Sequence, residues 1–296
     1  MNAQYAAVQS DPIDRLSPLL ERFRLRAGLF HAGELCGVTH FDAQPGRGFL
    51  HVLQRGEMTL THPGSTGRKQ TLRITEPTLL FYPRPLAHTF HNAPSEGADF
   101  VCATLDFEGG AQHPLVRALP PVLVLPLHAV AGLAPTLALL FGEAQQVLCG
   151  QRLLADRLFE VLVLQLLRWL LDHPEQADMP TGLLLGLAHP KLSRALTAVH
   201  AAPGAVWSLQ AMADAAGMSR SAFAAAFAAQ LGQTPVDYLQ HWRIAIAQTL
   251  LRSGTSIKSA SDELGYASPA SLSRAFTQVV GRSPRAWLKA QAAALI

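Results

Sequence analysis

One stretch of this chain occurs twice in its last third, and that duplication narrows the available folds more than any other feature. Gly217 to Pro235 (GMSRSAFAAAFAAQLGQTP) returns as Gly265 to Pro284 (GYASPASLSRAFTQVVGRSP). At an offset of 49, Ser219 pairs with Ser268, Phe223 with Leu272, Phe227 with Phe276, Gly232 with Gly281 and Pro235 with Pro284. Upstream the offset is 48, matching Leu209 to Ile257, Asp214 to Asp262 and Gly217 to Gly265, so one residue is inserted in the second turn. Each copy reads as helix, tight turn, helix. Leu209, Met212, Ala213 and Ala216 recur with helical spacing. Gly217 supplies the positive φ that ends that helix, Ser219 suits the N-cap of the next, and Phe223, Phe227 and Leu231 form its inward stripe. Gly232 stops the second helix and Pro235 opens a third. Ala213 and Ser261 are small enough for the two helices of each unit to approach closely.

A short helix, a glycine-containing turn and a second helix with an open outer face make a helix-turn-helix unit. Between the two copies, Val236 to Arg252 reads as one long helix. Such a connector would hold the two outer helices about one turn of DNA apart, roughly 34 Å. Charge agrees with that reading. Residues 1–180 carry 14 Lys/Arg and 17 Asp/Glu, whereas residues 181–296 carry 10 and 4, balances of −3 and +6. Only the C-terminal part is suited to a polyanion.

These elements resemble the AraC/XylS family of bacterial transcription regulators over about residues 190–290. The match is carried by Ile257, Asp262-Glu-Leu-Gly265-Tyr266-Ala-Ser268, Arg274-Ala-Phe276, Gly281-Arg-Ser-Pro284 and Trp287. The resemblance implies double-stranded DNA as partner. It also marks a departure: where family members often carry Arg in the first recognition helix, this chain has Ala224-Ala-Ala-Phe227-Ala-Ala. The first unit is therefore expected to read DNA through Ser219, Arg220 and Ser221, and the second through Ser268, Ser271, Arg274 and Lys258. Arg243, Arg282 and Arg285 are expected to serve backbone charge rather than base readout.

The first half has a different grammar. Short β-like runs (Leu35–Phe41, Gly48–Gln54, Glu57–His62, Gln70–Thr75, Thr78–Tyr82, Ala98–Phe107) are separated by Pro45-Gly46, Arg55-Gly56, Pro63-Gly64 and Glu96-Gly97. Six short strands predict a small antiparallel β-barrel. The succession Phe49-Leu-His51 to Gly56-Glu, Leu79 to Pro83 and His88-Thr-Phe-His91 resembles the cupin-type sensory domain of many AraC-family proteins, nearest the oxidant-responsive subgroup, over about residues 30–125. Cupins resemble one another in a His-x-His…Glu…His metal set. Here the first strand offers only His51, so a divalent metal would rest on His51 with His88 or His91. The other reading leaves these histidines structurally satisfied or on the surface. Cys102, in an apolar strand, is the redox candidate, though a sensor thiol must be accessible and a buried one is simply a small hydrophobe. No Ser/His/Asp arrangement or phosphate-binding glycine loop is present, so no catalysis is expected.

Leu133–Val147 and Arg152–Asp172 read as two antiparallel helices. The apolar face of the second (Leu154, Leu158, Val161, Leu162, Leu166, Trp169) is too broad for one neighbour. In family members such helices pair subunits, so the resemblance implies a homodimer. His173 to Thr181 is polar, has two prolines and reads as a linker. The expected fold is α+β: a cupin-like sensory barrel (1–130), a helical hairpin and linker (131–180) and an all-α DNA-binding domain with two helix-turn-helix units (181–296).

With 296 residues, 49% hydrophobic and 15% charged, the chain is neither disordered nor, with three cysteines, a disulfide scaffold. Met1 to Pro12 has neither a basic patch nor an apolar run, and Leu153 to Leu171 is broken by five polar or charged residues, so a cytoplasmic protein without membrane contact is expected. The leading expectation is a sequence-specific transcription regulator that senses a small molecule, metal or oxidant, with RNA polymerase as a further partner of an activator. The rival is a metal-dependent cupin enzyme with a helical assembly tail. A third reading is a sequence-blind architectural DNA protein.

Overall fold

Alternating apolar residues in the first half and helical spacing in the second produce two differently built regions. The computed structural model describes residues 13–293 apart from 65–66, 94–96, 146 and 178. The segment Met1–Pro12, the turn residue Glu96 and one residue of the expected linker, Asp178, lie outside the described residues.

After a single helical turn, α1 (Ser17–Leu20), come β1 (Leu25–Leu35), β2 (Val38–Phe41), β3 (Arg47–Arg55), β4 (Met58–Pro63), β5 (Lys69–Ile74), β6 (Thr78–Tyr82), β7 (His88–His91) and β8 (Ala98–Phe107). A short helix α2 (Pro114–Ala118) precedes β9 (Leu123–Pro126). All pairings are antiparallel. They make two sheets, ordered β1-β8-β3-β6-β9 and β2-β7-β4-β5.

The expected barrel is thus a pair of facing sheets, and no ladder among the described residues closes it into a cylinder. Because the edges remain, they are protected by charge instead. Edge strand β5 is almost wholly exposed and carries Lys69 and Arg73. On edge strand β1, the outward amides of Leu29 and Ala27 donate to Asp156 (2.6 Å) and Glu160 (3.4 Å).

The larger sheet is covered on both faces, so β3 is buried along nearly its whole length. Phe49, Leu53, Leu80, Tyr82, Phe100 and Cys102 share a core between the sheets. Leu50, Val52, Leu79, Phe81, Val101 and Leu105 face the helices on the other side. There α3 (Ala134–Ala144) packs on α4 (Gln151–Asp172), which lies along β1. Ala155, Phe159, Leu162, Leu166 and Leu170 of α4 are buried, but Leu153, Leu154, Val161 and Leu164 stay exposed.

The rest of the chain is helical: α5 (Leu183–Ala188), α6 (Leu192–Ala201), α7 (Leu209–Ala215), α8 (Arg220–Leu231), α9 (Pro235–Arg252), α10 (Ile257–Glu263), α11 (Pro269–Val280) and α12 (Pro284–Ala293). The apolar core beneath the sheet continues into these helices without interruption. Across that seam the Phe23 ring sits 5.1 Å from Trp242 of α9, and on its own side it lies 5.7 Å from His113. Arg22 pairs with Glu263 at 3.2 Å.

Candidate nucleic-acid interface

The duplicated grammar is realised residue by residue. Gly217 (φ 60°) and Gly265 (φ 71°) turn the chain after α7 and α10. Ser219 caps α8 through the Ala222 amide at 3.3 Å. Ser268 caps α11 through the Ser271 amide at 3.2 Å, and Ser271 Oγ accepts the Ser268 amide at 3.0 Å, a reciprocal capping box. Thr234 caps α9 with Pro235 in its first turn. Gly232 (φ 71°) and Gly281 (φ 76°) end α8 and α11 in the left-handed conformation.

Phe223, Phe227 and Leu231 bury the inner stripe of α8, while Leu272 and Phe276 do so for α11. The opposite faces are open. On α8, Arg220, Ser221, Ala225 and Ala228 are exposed, and on α11, Pro269, Ala270, Arg274, Thr277 and Gln278. Gln278 had no motif to flag it. Its signal is the i+4 spacing from Arg274 on the same face.

Electrostatically, this surface is free to meet an anion. Among the described residues, none of Arg220, Lys258, Arg274, Arg282 or Arg285 is paired with a carboxylate. All five are exposed.

Four expected DNA contacts are otherwise engaged, the first being Ser219, whose hydroxyl caps α8. The Arg243 guanidinium, which expectation gave to backbone charge, donates to the carbonyls of Pro203 (2.8 Å) and Ala205 (2.9 Å) inside the domain. The Ser268 and Ser271 hydroxyls, expected to read bases, are bound to each other's backbone in the capping box. The sequence marks the N-cap correctly but cannot show that the Ser271 hydroxyl donates its proton to the Ser268 carbonyl.

The sensory half also sorts its candidates. His51 and His88 point between the sheets, with their Nε2 atoms 2.9 Å apart. His88 Nδ1–H donates to the Leu86 carbonyl at 2.8 Å, so its Nε2 accepts the proton of His51. Phe30, Phe41, Phe49, Tyr82 and Phe90 surround the pair. Burial holds His51 well below the usual imidazole range and His88 at about 4.

His91 corrects the expected metal set. It lies three residues from His88 on β7, hence on the opposite face, and it meets Thr61 Oγ1 at 3.2 Å. Among the described residues, no three His, Cys, Asp or Glu side chains converge as a metal centre, and the donors His51, His88 and His91 do not fit one. The buried His62, at the end of the run Glu57–His62, stands edge-on to Tyr82 at 6.2 Å. Beside it a cleft of about 270 Å³ reaches His40, Phe41, Thr61, Lys69 and His88.

Cys102 is also corrected. It is fully buried and burial pushes its thiol well up, so it lacks the accessible thiolate of a redox sensor. Cys36 and Cys149 are exposed. No helix among the described residues is long and apolar enough to cross a membrane.

Comparison with known proteins agrees with both halves. Residues 14–172 match the family model described as Cupin, and residues 212–290 match the one described as Helix-turn-helix domain. A putative AraC-like transcription regulator of Streptomyces antibioticus is 31% identical over 93% of this chain and 97% of that protein. The RCS-specific HTH-type transcriptional activator RclR of Escherichia coli is 30% identical over 79% of this chain and 81% of that protein. The HTH-type transcriptional regulator AlkR of Acinetobacter baylyi is 35% identical over 58% of this chain, which spans 57% of that protein's length.

Proposed function

This chain belongs to the AraC-like transcription regulators, and from that premise we propose how its residues divide the work. It is a DNA-binding transcription regulator rather than an enzyme. One observation carries the reading: the helix-turn-helix occurs twice, and both recognition helices turn an unpaired arginine outward, Arg220 and Arg274.

Arg274 reads a base edge in the second major groove, with Gln278 one turn further along. Arg220 and Ser221 do so in the first, where the alanines Ala225 and Ala228 suit thymine methyl groups. Lys258, Arg282 and Arg285 serve the phosphates. The working division remains 1–130 for sensing, 131–180 for the hairpin and 181–296 for DNA. The cupin-type half senses the signal, and the cleft beside His62 and His88 is where an effector enters. Effector binding acts by shifting the population of arrangements in which both units engage DNA.

The exposed Leu153, Leu154, Val161 and Leu164 of α4 pair two chains into a homodimer, since four large apolar side chains together on one helix flank make a patch rather than scattered surface residues. RNA polymerase is the partner through which an activator of this build acts, in the cytoplasm.

The test is Arg274→Ala in the full chain, with duplexes enriched by the wild-type protein from a random-sequence pool. Loss of preference at one base position, at a cost of about 1–3 kcal/mol, supports base readout. Uniform weakening of all sequences, with the salt slope reduced by about 1, makes Arg274 a phosphate contact instead.

A further inference from the structure

The two helix-turn-helix units are joined at a second place besides α9. The loop between α6 and α7 leaves the first unit and crosses the turn of the second. At Gly204 there is no room for a side chain: a Cβ there would lie 2.2 Å from the Glu263 carbonyl oxygen. A Cβ on Gly265 would lie 2.2 Å from the Gly204 carbonyl oxygen. Two backbones therefore meet directly, one from each half of the domain.

Arg243 closes the same junction from the middle of α9. Nε donates to the Pro203 carbonyl at 2.8 Å and Nη2 to the Ala205 carbonyl at 2.9 Å, on either side of Gly204. The guanidinium lies over Tyr266, the residue after Gly265, with Cζ 5.7 Å from the ring centroid. Trp207 Nε1 stiffens the loop by donating to the Ala202 carbonyl at 2.8 Å. A planar fork that bonds two carbonyls and stacks on a ring uses what distinguishes arginine from lysine.

We propose that Arg243 is a positioning residue. With Gly204 and Gly265 it locks the rotation and spacing of the two recognition helices, so that the protein accepts only one separation between half-sites. A single connecting helix can bend along its length, and a second tie through the loop removes that freedom. This rests on the DNA-reading function above.

The experiment uses the full chain and a duplex enriched by the wild-type protein from a random-sequence pool, its half-sites mapped by footprinting. Three derivatives are made: one base pair inserted between the half-sites, one removed, and a duplex keeping the first half-site only. Affinities are compared for Arg243→Met, Arg243→Lys and Gly204→Ala. The wild type is expected to lose about 30-fold or more on either spacing change, because the second contact then no longer forms at high effective concentration. All three variants should bind the native spacing about 10-fold more weakly, lose less than about 3-fold further on the spacing changes, and bind the half-site as the wild type does.

Half-site binding reports that the first unit of each variant is folded, and hydrogen exchange across 257–280 reports the same of the second; lost protection there, with the half-site bound as before, makes the weakening a folding defect and overturns the clamp. Arg243→Lys behaving as the wild type makes charge alone sufficient and overturns the clamp. Equal weakening on every duplex, half-site included, overturns it as well. A wild-type protein that enriches no duplex instead overturns the DNA-reading function on which the clamp rests.

Discussion

Replacing Ser268 by alanine separates two roles that its position superimposes, end-cap of α11 and reader of DNA. Its Oγ accepts the Ser271 amide at 3.2 Å, and Ser271 Oγ accepts the Ser268 amide at 3.0 Å. These satisfy two donors that the start of a helix leaves without partners. Alanine removes one of the two acceptors of the Ser271 amide, which keeps its 3.0 Å bond to the Ser268 carbonyl, and loosens the reciprocal bond. Losing a serine cap costs about 0.5–2 kcal/mol, and because that carbonyl still accepts the amide the lower half of the range applies, about 0.5–1 kcal/mol. The first turn of α11 should then open about 2–5 times more often. Hydrogen exchange followed by mass spectrometry on the full chain reads this directly. Peptides across 268–273 should exchange faster by that factor, while those across α8, which has its own cap, should not change. Ser268→Asp retains an acceptor and adds a negative charge at the positive end of the helix, so protection should return. The same charge faces phosphate, so DNA affinity should still fall. Unchanged exchange in the alanine variant, together with altered preference at one base, would refute the cap reasoning and make the hydroxyl a reader.

Burial holds His88 and His113 at about 4 and His200 at about 3, and unfolding returns each to about 6.5. The unfolded chain then binds more protons, so stability is full above about pH 6.5 and falls as the pH drops toward 4. A urea midpoint that rises on acidification would contradict this. A thiol reagent should titrate Cys36 and Cys149 in the native protein and reach Cys102 only after denaturation. Rapid modification of all three would restore Cys102 as a sensor. Leu153→Glu combined with Leu154→Glu, at residues 62% and 49% exposed, should convert the proposed homodimer to a monomer in sedimentation velocity without lowering the thermal midpoint. A dimer that survives places the interface elsewhere.

Much of the C-terminal region was legible because its signals are local. A cap acts over three residues, a C-terminal glycine over one turn, and Phe223, Phe227 and Leu231 share a face by spacing alone. The sensory half was harder. β1 was missed because Leu25–Leu35 has no clean alternation, its outer edge being closed by Asp156 and Glu160 from α4. β9 was missed because it has four residues and ends on Pro126. The separation of His88 from His91 was available in principle, since three positions along a strand reverse the face. It needed the knowledge that residues 88–91 form one unbroken strand.

By itself, then, the order of residues determined the duplicated helix-turn-helix with its caps and inward stripes, since each depends on neighbours a few positions away, and marked the first half as short strands separated by turns. Tertiary structure alone decided that the sheets face each other, with no closing ladder among the described residues. It also decided that Cys102 is sealed and that Arg243 reaches Pro203, forty residues upstream, rather than a phosphate. Burial and charge pairing are set by what the folded chain brings alongside a group, and no periodicity in the sequence encodes that neighbour.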